Sequence, residues 1–131
     1  MPNKRPVKRD SDVDFEILFF EGVLKQNPDF IEALIALGDL YTKKGLIDKG
    51  LEVDEKLSRL RPEDPLVFYN LACSYSLVKE VEKSIEAIKT AINNGYGDFD
   101  YLEQDKDLDN IRQDERFQQC LSRLKPQKPN P

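Results

Sequence analysis

Two thiols, Cys73 and Cys120, and four closely spaced aspartates, Asp105, Asp107, Asp109 and Asp114, are the groups best equipped for chemistry here, and no histidine accompanies them. Without an imidazole the chain lacks the side chain best suited to general base work near neutral pH. Cysteines 47 positions apart match neither a zinc-ligand spacing nor a CxxC redox pair. The expectation is two free thiols packed as small hydrophobes. The aspartates lack the central glycine and terminal glutamate of a calcium loop, so capping short helices is the use expected of them. There is no glycine-rich phosphate loop, and no serine or cysteine has an activating neighbour in sequence. The chain therefore reads as no enzyme, with no metal and no cofactor.

The elements that position these groups are helical. The chain has 131 residues, enough for one core, and only six glycines and few β-branched runs, which argues against a sheet. Residues 1–11 read as a disordered basic arm, with Lys4, Arg5, Lys8 and Arg9 opposed only by Asp10. From Ser11 to Lys125 the net charge is about −9, which disfavours nucleic acid as a partner. No apolar stretch approaches the ~20 residues of a membrane span, and the basic start, Met1 to Asp10, lacks the apolar core expected of a secretory signal. A soluble, cytoplasmic protein is expected.

Apolar residues at three- and four-residue spacing predict helices over 12–26, 29–44, 47–60, 65–78 and 81–93, followed by short pieces over 98–104, 107–112 and 114–124. Asp12 is the expected N-cap of the first, Gly45 the C-cap of the second, and Pro65 the first residue of the fourth. Residues 126–131 hold three prolines and read as a disordered tail.

A period of thirty-four runs through this pattern. Pro28 returns as Pro62; Leu34, Leu37, Gly38 and Tyr41 return as Phe68, Leu71, Ala72 and Tyr75; Ile17 returns as Leu51 and Ile85. Such a period marks stacked helical hairpins that bury one another's faces. It fails after Gly95, where Asp105 and Lys106 fall at positions that call for apolar or small residues.

The run Leu34-x-x-Leu37-Gly38-x-x-Tyr41, with Gly50 and Pro62 following, resembles a tetratricopeptide repeat. Phe68-x-x-Leu71-Ala72-x-x-Tyr75, with Ser84, Ile88 and Ala91, resembles a second. The resemblance implies an all-α, right-handed superhelix of stacked hairpins. Its parts would be a half repeat over 12–28, repeats over 31–64 and 65–98, and a helical cap over 99–125, together one domain over 12–125. The tail from Tyr101 to Phe117 is similar to that of bacterial repeat proteins of this kind. Two departures stand out: Asp54 occupies a position where the family has a large apolar side chain, and Tyr96 replaces a turn proline.

The resemblance also implies a concave groove lined by the first helix of each hairpin. Its candidate partner-binding residues are Ile35, Asp39 and Lys43 from one repeat, and Leu66, Tyr69, Asn70, Cys73, Ser76 and Leu77 from the next. The alternative is that the cap covers Leu66, Tyr69 and Leu77. Members that grip a chaperone's C-terminal carboxylate use a lysine and an asparagine where this chain has Ile35 and Asp39, so that activity is not expected. Asp54 is either a carboxylate poised for chemistry with a raised pKa or one bonded to Tyr41, Tyr75 or an arginine.

The leading functional expectation is a non-enzymatic module or scaffold that holds a peptide or helix of another protein. The alternative is self-assembly, as a homo-oligomer or within a larger complex, through an end bearing Phe15, Phe19 and Phe20. Neither nucleic acid nor membrane is expected as a partner.

Overall fold

The computed structural model describes residues 9–124, and for Leu124 the backbone alone. The expected arm and tail therefore lie mostly outside the described residues. The helices are α1 (Asp10–Gln26), α2 (Ile31–Lys43), α3 (Ile47–Leu60), α4 (Pro65–Leu77), α5 (Val81–Asn93), α6 (Phe99–Gln104) and α7 (Glu115–Leu124), with a 3₁₀ turn at Lys106–Leu108. No strand occurs among the described residues. The chain is all-α, built as successive helical hairpins. It divides into two compact units, 1–53 and 54–131, with the boundary inside α3.

Three sequence expectations shift at element ends. The first helix begins at Asp10 with Arg9 as its N-cap residue, so Asp12 lies in the first turn, where a carboxylate complements the helix dipole. The second begins at Ile31, not at Asp29, because Phe30 still has extended backbone. The piece expected over 107–112 is only the 3₁₀ turn, since Asp105 closes that turn onto the Asp107 amide.

In the first unit, α1 and α2 bury Val13 and Ile17 against Leu37, Leu40 and Tyr41, with Phe20, Leu24 and Val53 packed around them. The Tyr41 hydroxyl donates to Glu21 at 2.5 Å, and the Lys49 ammonium lies 5.7 Å from the ring centroid. At Gly50 the backbones of α2 and α3 come close: a Cβ there would stand 3.1 Å from Thr42 Oγ1 and 3.6 Å from the Gly38 carbonyl oxygen.

In the second unit the same arrangement returns thirty-four residues on. Tyr75 donates to Glu55 at 2.8 Å, with Lys83 5.8 Å from its ring centroid. At the close crossing, Ser84 donates its hydroxyl to the Ala72 carbonyl at 2.7 Å. Asp64 caps α4 by accepting from the amides of Leu66 and Val67. Unlike the other helices, α4 is apolar almost all round, and its residues Val67, Tyr69, Leu71, Ala72, Cys73, Ser74 and Ser76 are buried. A helix of that composition needs cover on more than one side. One side meets α5, and the other meets the segment after Gly95.

The turn after α2 uses Gly45 at φ 83°, but thirty-four residues later the turn after α4 places Lys79 at φ 64°. A β-carbon costs roughly 1 kcal/mol in that left-handed conformation. Lys79→Gly is therefore expected to stabilise the chain by on the order of 1 kcal/mol in urea unfolding, and no gain would mean that the strain is relieved elsewhere.

Candidate partner-binding face and its cap

The groove residues expected from the sequence divide sharply by exposure. On α2, Ile35, Asp39 and Lys43 are exposed on one face, Ile35 by 48%, and Lys43 pairs with Asp39 at 2.9 Å. On α4, Leu66 and Asn70 are exposed and Leu77 is half-buried. Tyr69, Cys73 and Ser76 are 4%, 8% and 0% exposed, so they do not line an open groove. The C-terminal segment closes over them, while Leu66, which it was also expected to cover, stays open.

That segment docks through a hydrogen-bonded centre on α4. The Tyr69 hydroxyl donates to Asp105 Oδ2 at 2.5 Å, the Cys73 thiol donates to the same oxygen at 3.7 Å, and the Asp107 amide donates to Oδ1 at 3.0 Å. Tyr96, where a turn proline was expected, stacks on Tyr69 with centroids 4.4 Å apart. Asn110 donates to the Ser76 carbonyl at 2.7 Å, satisfying a backbone acceptor near the end of α4. Arg112 gives its guanidinium hydrogens to the carbonyls of Leu102, Glu103 and Asp105, in effect capping α6. Beneath these contacts Leu102, Leu108, Ile111 and Phe117 are 0% exposed. Burial of four such side chains contributes about 1.5–3 kcal/mol each to holding the cap on the unit.

Cys73, Asp105 and Asp107 bring three ligand-type atoms within 4.8 Å of one another. Both Asp105 oxygens already accept hydrogen bonds. Burial, reinforced by the Asp105 and Asp107 charges, pushes the Cys73 thiol well above its ordinary value and keeps it protonated. Burial likewise raises Tyr69, helped by its bond to Asp105. Asp107 is raised by burial and by its acidic neighbours. Such a cluster holds protons in place; it does not supply a thiolate nucleophile. Of the aspartates expected to cap short helices, Asp105 and Asp114 do accept from amides ahead of them, whereas Asp109 pairs with Arg112.

Asp54 is 7% exposed and accepts from the Ser74 hydroxyl at 2.5 Å, not from Tyr41, Tyr75 or an arginine. The two tyrosines are instead taken by Glu21 and Glu55. Thirty-four residues earlier the corresponding positions are Phe20 and Leu40, which belong to the apolar core of the first unit. Where the first unit has an apolar pair, the second unit thus has a hydrogen-bonded polar one. The sequence signal was available, since Ser74 and Asp54 change together when the two repeats are aligned.

No family model matches the sequence. Among curated proteins of Arabidopsis thaliana, the chain is 33% identical over 87 residues to a protein described as chloroplastic, and 38% identical over 72 residues to "Protein CTR9 homolog". These matches take in 64% and 55% of this chain but only 26% and 6% of the relatives, so the chain spans a small part of either. Among solved structures it resembles MamA from Desulfovibrio magneticus RS-1 (residues 41 to the end), with a TM-score of 0.67 at 23% identity, covering 87% of this chain and 67% of that one. A second MamA crystal structure gives 0.69 at 24% identity, over 88% and 70% of the two chains.

Burial raises the Asp54 carboxyl from its ordinary 3.8 to about 6, with the Ser74 bond opposing the shift. The folded state therefore binds this proton more tightly than the unfolded chain. The stabilisation is complete below the ordinary value and is lost as pH rises through about 6. Asp54→Asn is expected to remove on the order of 3 kcal/mol of pH dependence across that window, read from urea unfolding at each pH. An unchanged profile would show that Asp54 titrates normally. At the docking centre, Tyr69→Phe deletes a bond to a carboxylate and is expected to cost about 1.5–3 kcal/mol. The same variant should raise the reaction rate of Cys73 with a thiol reagent, and equal rates would mean that the hydroxyl does not help to hold the cap.

Proposed function

Because the chain carries tetratricopeptide repeats, we propose that it is a non-enzymatic module that binds a peptide or helix of another protein. The observation that supports this most directly is the contrast between the two repeats. The cap fills the face of α4, whereas the corresponding face of α2 keeps Ile35, an apolar side chain that is 48% exposed between polar neighbours. Apolar anchors among a few polar groups are the usual character of a peptide site. Ile35, Asp39 and Lys43 on α2 form the proposed contact face. Tyr69, Cys73 and Ser76 leave the set because they are buried.

Self-assembly through α1 is a second reading, favoured by Phe15 and Phe19, which are 70% and 57% exposed. Phe20 drops out, being packed on the core of the first unit. Among the described residues, no helix is long and apolar enough to cross a membrane. The cytoplasm remains the proposed compartment, to be checked by fractionation because one relative is chloroplastic by name.

The test is selection of peptides from a random display library on the immobilised full chain. A consensus peptide binding with a Kd on the order of 10 µM is expected, weakened at least tenfold by Ile35→Glu. Failure to enrich any consensus, or equal binding by the variant, would remove α2 as the contact face.

A further inference from the structure

The outer face of α1 carries a stripe that the repeat does not require. Ser11, Phe15, Leu18, Gly22 and Gln26 follow one another at three- and four-residue steps, on the side of the helix opposite buried Val13 and Ile17. Phe15 and Leu18 are 70% and 69% exposed, and Phe19 beside them is 57% exposed. Helices α3 and α5 hold the same repeat positions as α1. Where α1 has Phe15 they have Lys49 and Lys83, and where it has Leu18 they have Glu52 and Glu86. All four of those residues are exposed, so packing within the hairpins does not call for apolar side chains here.

We infer that this stripe is the contact face between two copies of the chain, paired as antiparallel α1 helices. The inference rests on the self-assembly reading above and gives it a geometry. A twofold axis near Leu18 and Phe19 sets Phe15 opposite the partner's Gly22. A Cβ at Gly22 would find no atom within 4 Å, so that position is open surface with no side chain to keep an aromatic ring from the helix backbone. The same pairing lays the acidic first turns, with Asp10, Asp12 and Asp14, along the end that carries Lys25, and opposes the two helix dipoles. A parallel pair would place the aspartates side by side.

The size of the stripe sets the strength. Phe15, Leu18 and Phe19 offer roughly 400 Å² per copy, so two copies bury about 800 Å² where a stable complex typically buries ~1,200 Å² or more. The dimer is therefore weak and reversible, with a Kd on the order of 10–100 µM.

Sedimentation of the full chain over a concentration series tests this. The mass should climb from 15.2 kDa towards twice that value. Leu18→Glu should hold the chain at the monomer mass with an unchanged unfolding temperature. Gly22→Ile, whose Cβ meets no atom in the monomer, should weaken pairing at least tenfold. Mixing Ser11→Cys with Gln26→Cys chains under mild oxidation should link position 11 to position 26, because the native thiols are buried. The inference is overturned by a single 15.2 kDa species up to about 1 mM, by pairing that survives both stripe substitutions, or by links that join only like positions. A different protein whose binding is lost in Leu18→Glu, while the wild type stays monomeric, would reassign the stripe to that protein. The peptide selection reads Ile35→Glu on α2, so either proposal can fail while the other stands.

Discussion

The close approach of helix backbones at Gly38 and Gly50, and again at Ala72 and Ser84, is the constraint that the rest of the structure depends on. Two helices can come this near only if the residues at the crossing carry almost nothing. A Cβ at Gly50 would already touch Thr42 Oγ1 at 3.1 Å. The second repeat meets the same limit with a small polar group, whose hydroxyl converts the near contact into a hydrogen bond to the Ala72 carbonyl. Once the crossing is fixed, the apolar rows on either side are brought into register and the core closes around them.

Around each crossing stands a second repeated device. A tyrosine on one helix donates to a glutamate twenty residues before it and lies beneath a lysine eight residues after it, in Glu21–Tyr41–Lys49 and again in Glu55–Tyr75–Lys83. The acid accepts the hydroxyl's hydrogen bond at the edge of the core, where a lone polar group would be costly, and the cation lies within cation–π range of the ring. Asp54 and Ser74 show how the pattern can drift. Having replaced an apolar pair in the middle of the core, they retain the fold by bonding to each other. The carboxyl then holds its proton to higher pH than usual.

The C-terminal segment changes what the second repeat can offer. Its four fully buried apolar side chains and the Tyr69–Asp105 bond cover the face of α4 that would otherwise be open. Among the described residues, the exposed large apolar side chains are concentrated before residue 54, at Phe15, Leu18, Phe19, Phe30, Ile35 and Leu46, with Leu66 and Tyr101 after it. The cap thus completes the second unit and leaves the first as the part with surface to give.

Much of the fold was legible in the sequence. The thirty-four-residue recurrence located α3 and α5 at both ends, and Asp64-Pro65 marked the start of α4, because caps and apolar spacing are local signals. The break of period at Asp105 and the aromatic at Tyr96 announced a different ending, but not its purpose. Nothing local says that the Asp105 carboxylate reaches Tyr69 and Cys73, more than thirty residues away, or that this takes the centre of the expected groove out of reach. Sequence periodicity decided which residues turn inward within each hairpin. Which of the remaining faces stay open depended on where the cap came to rest, and only long-range packing could determine that.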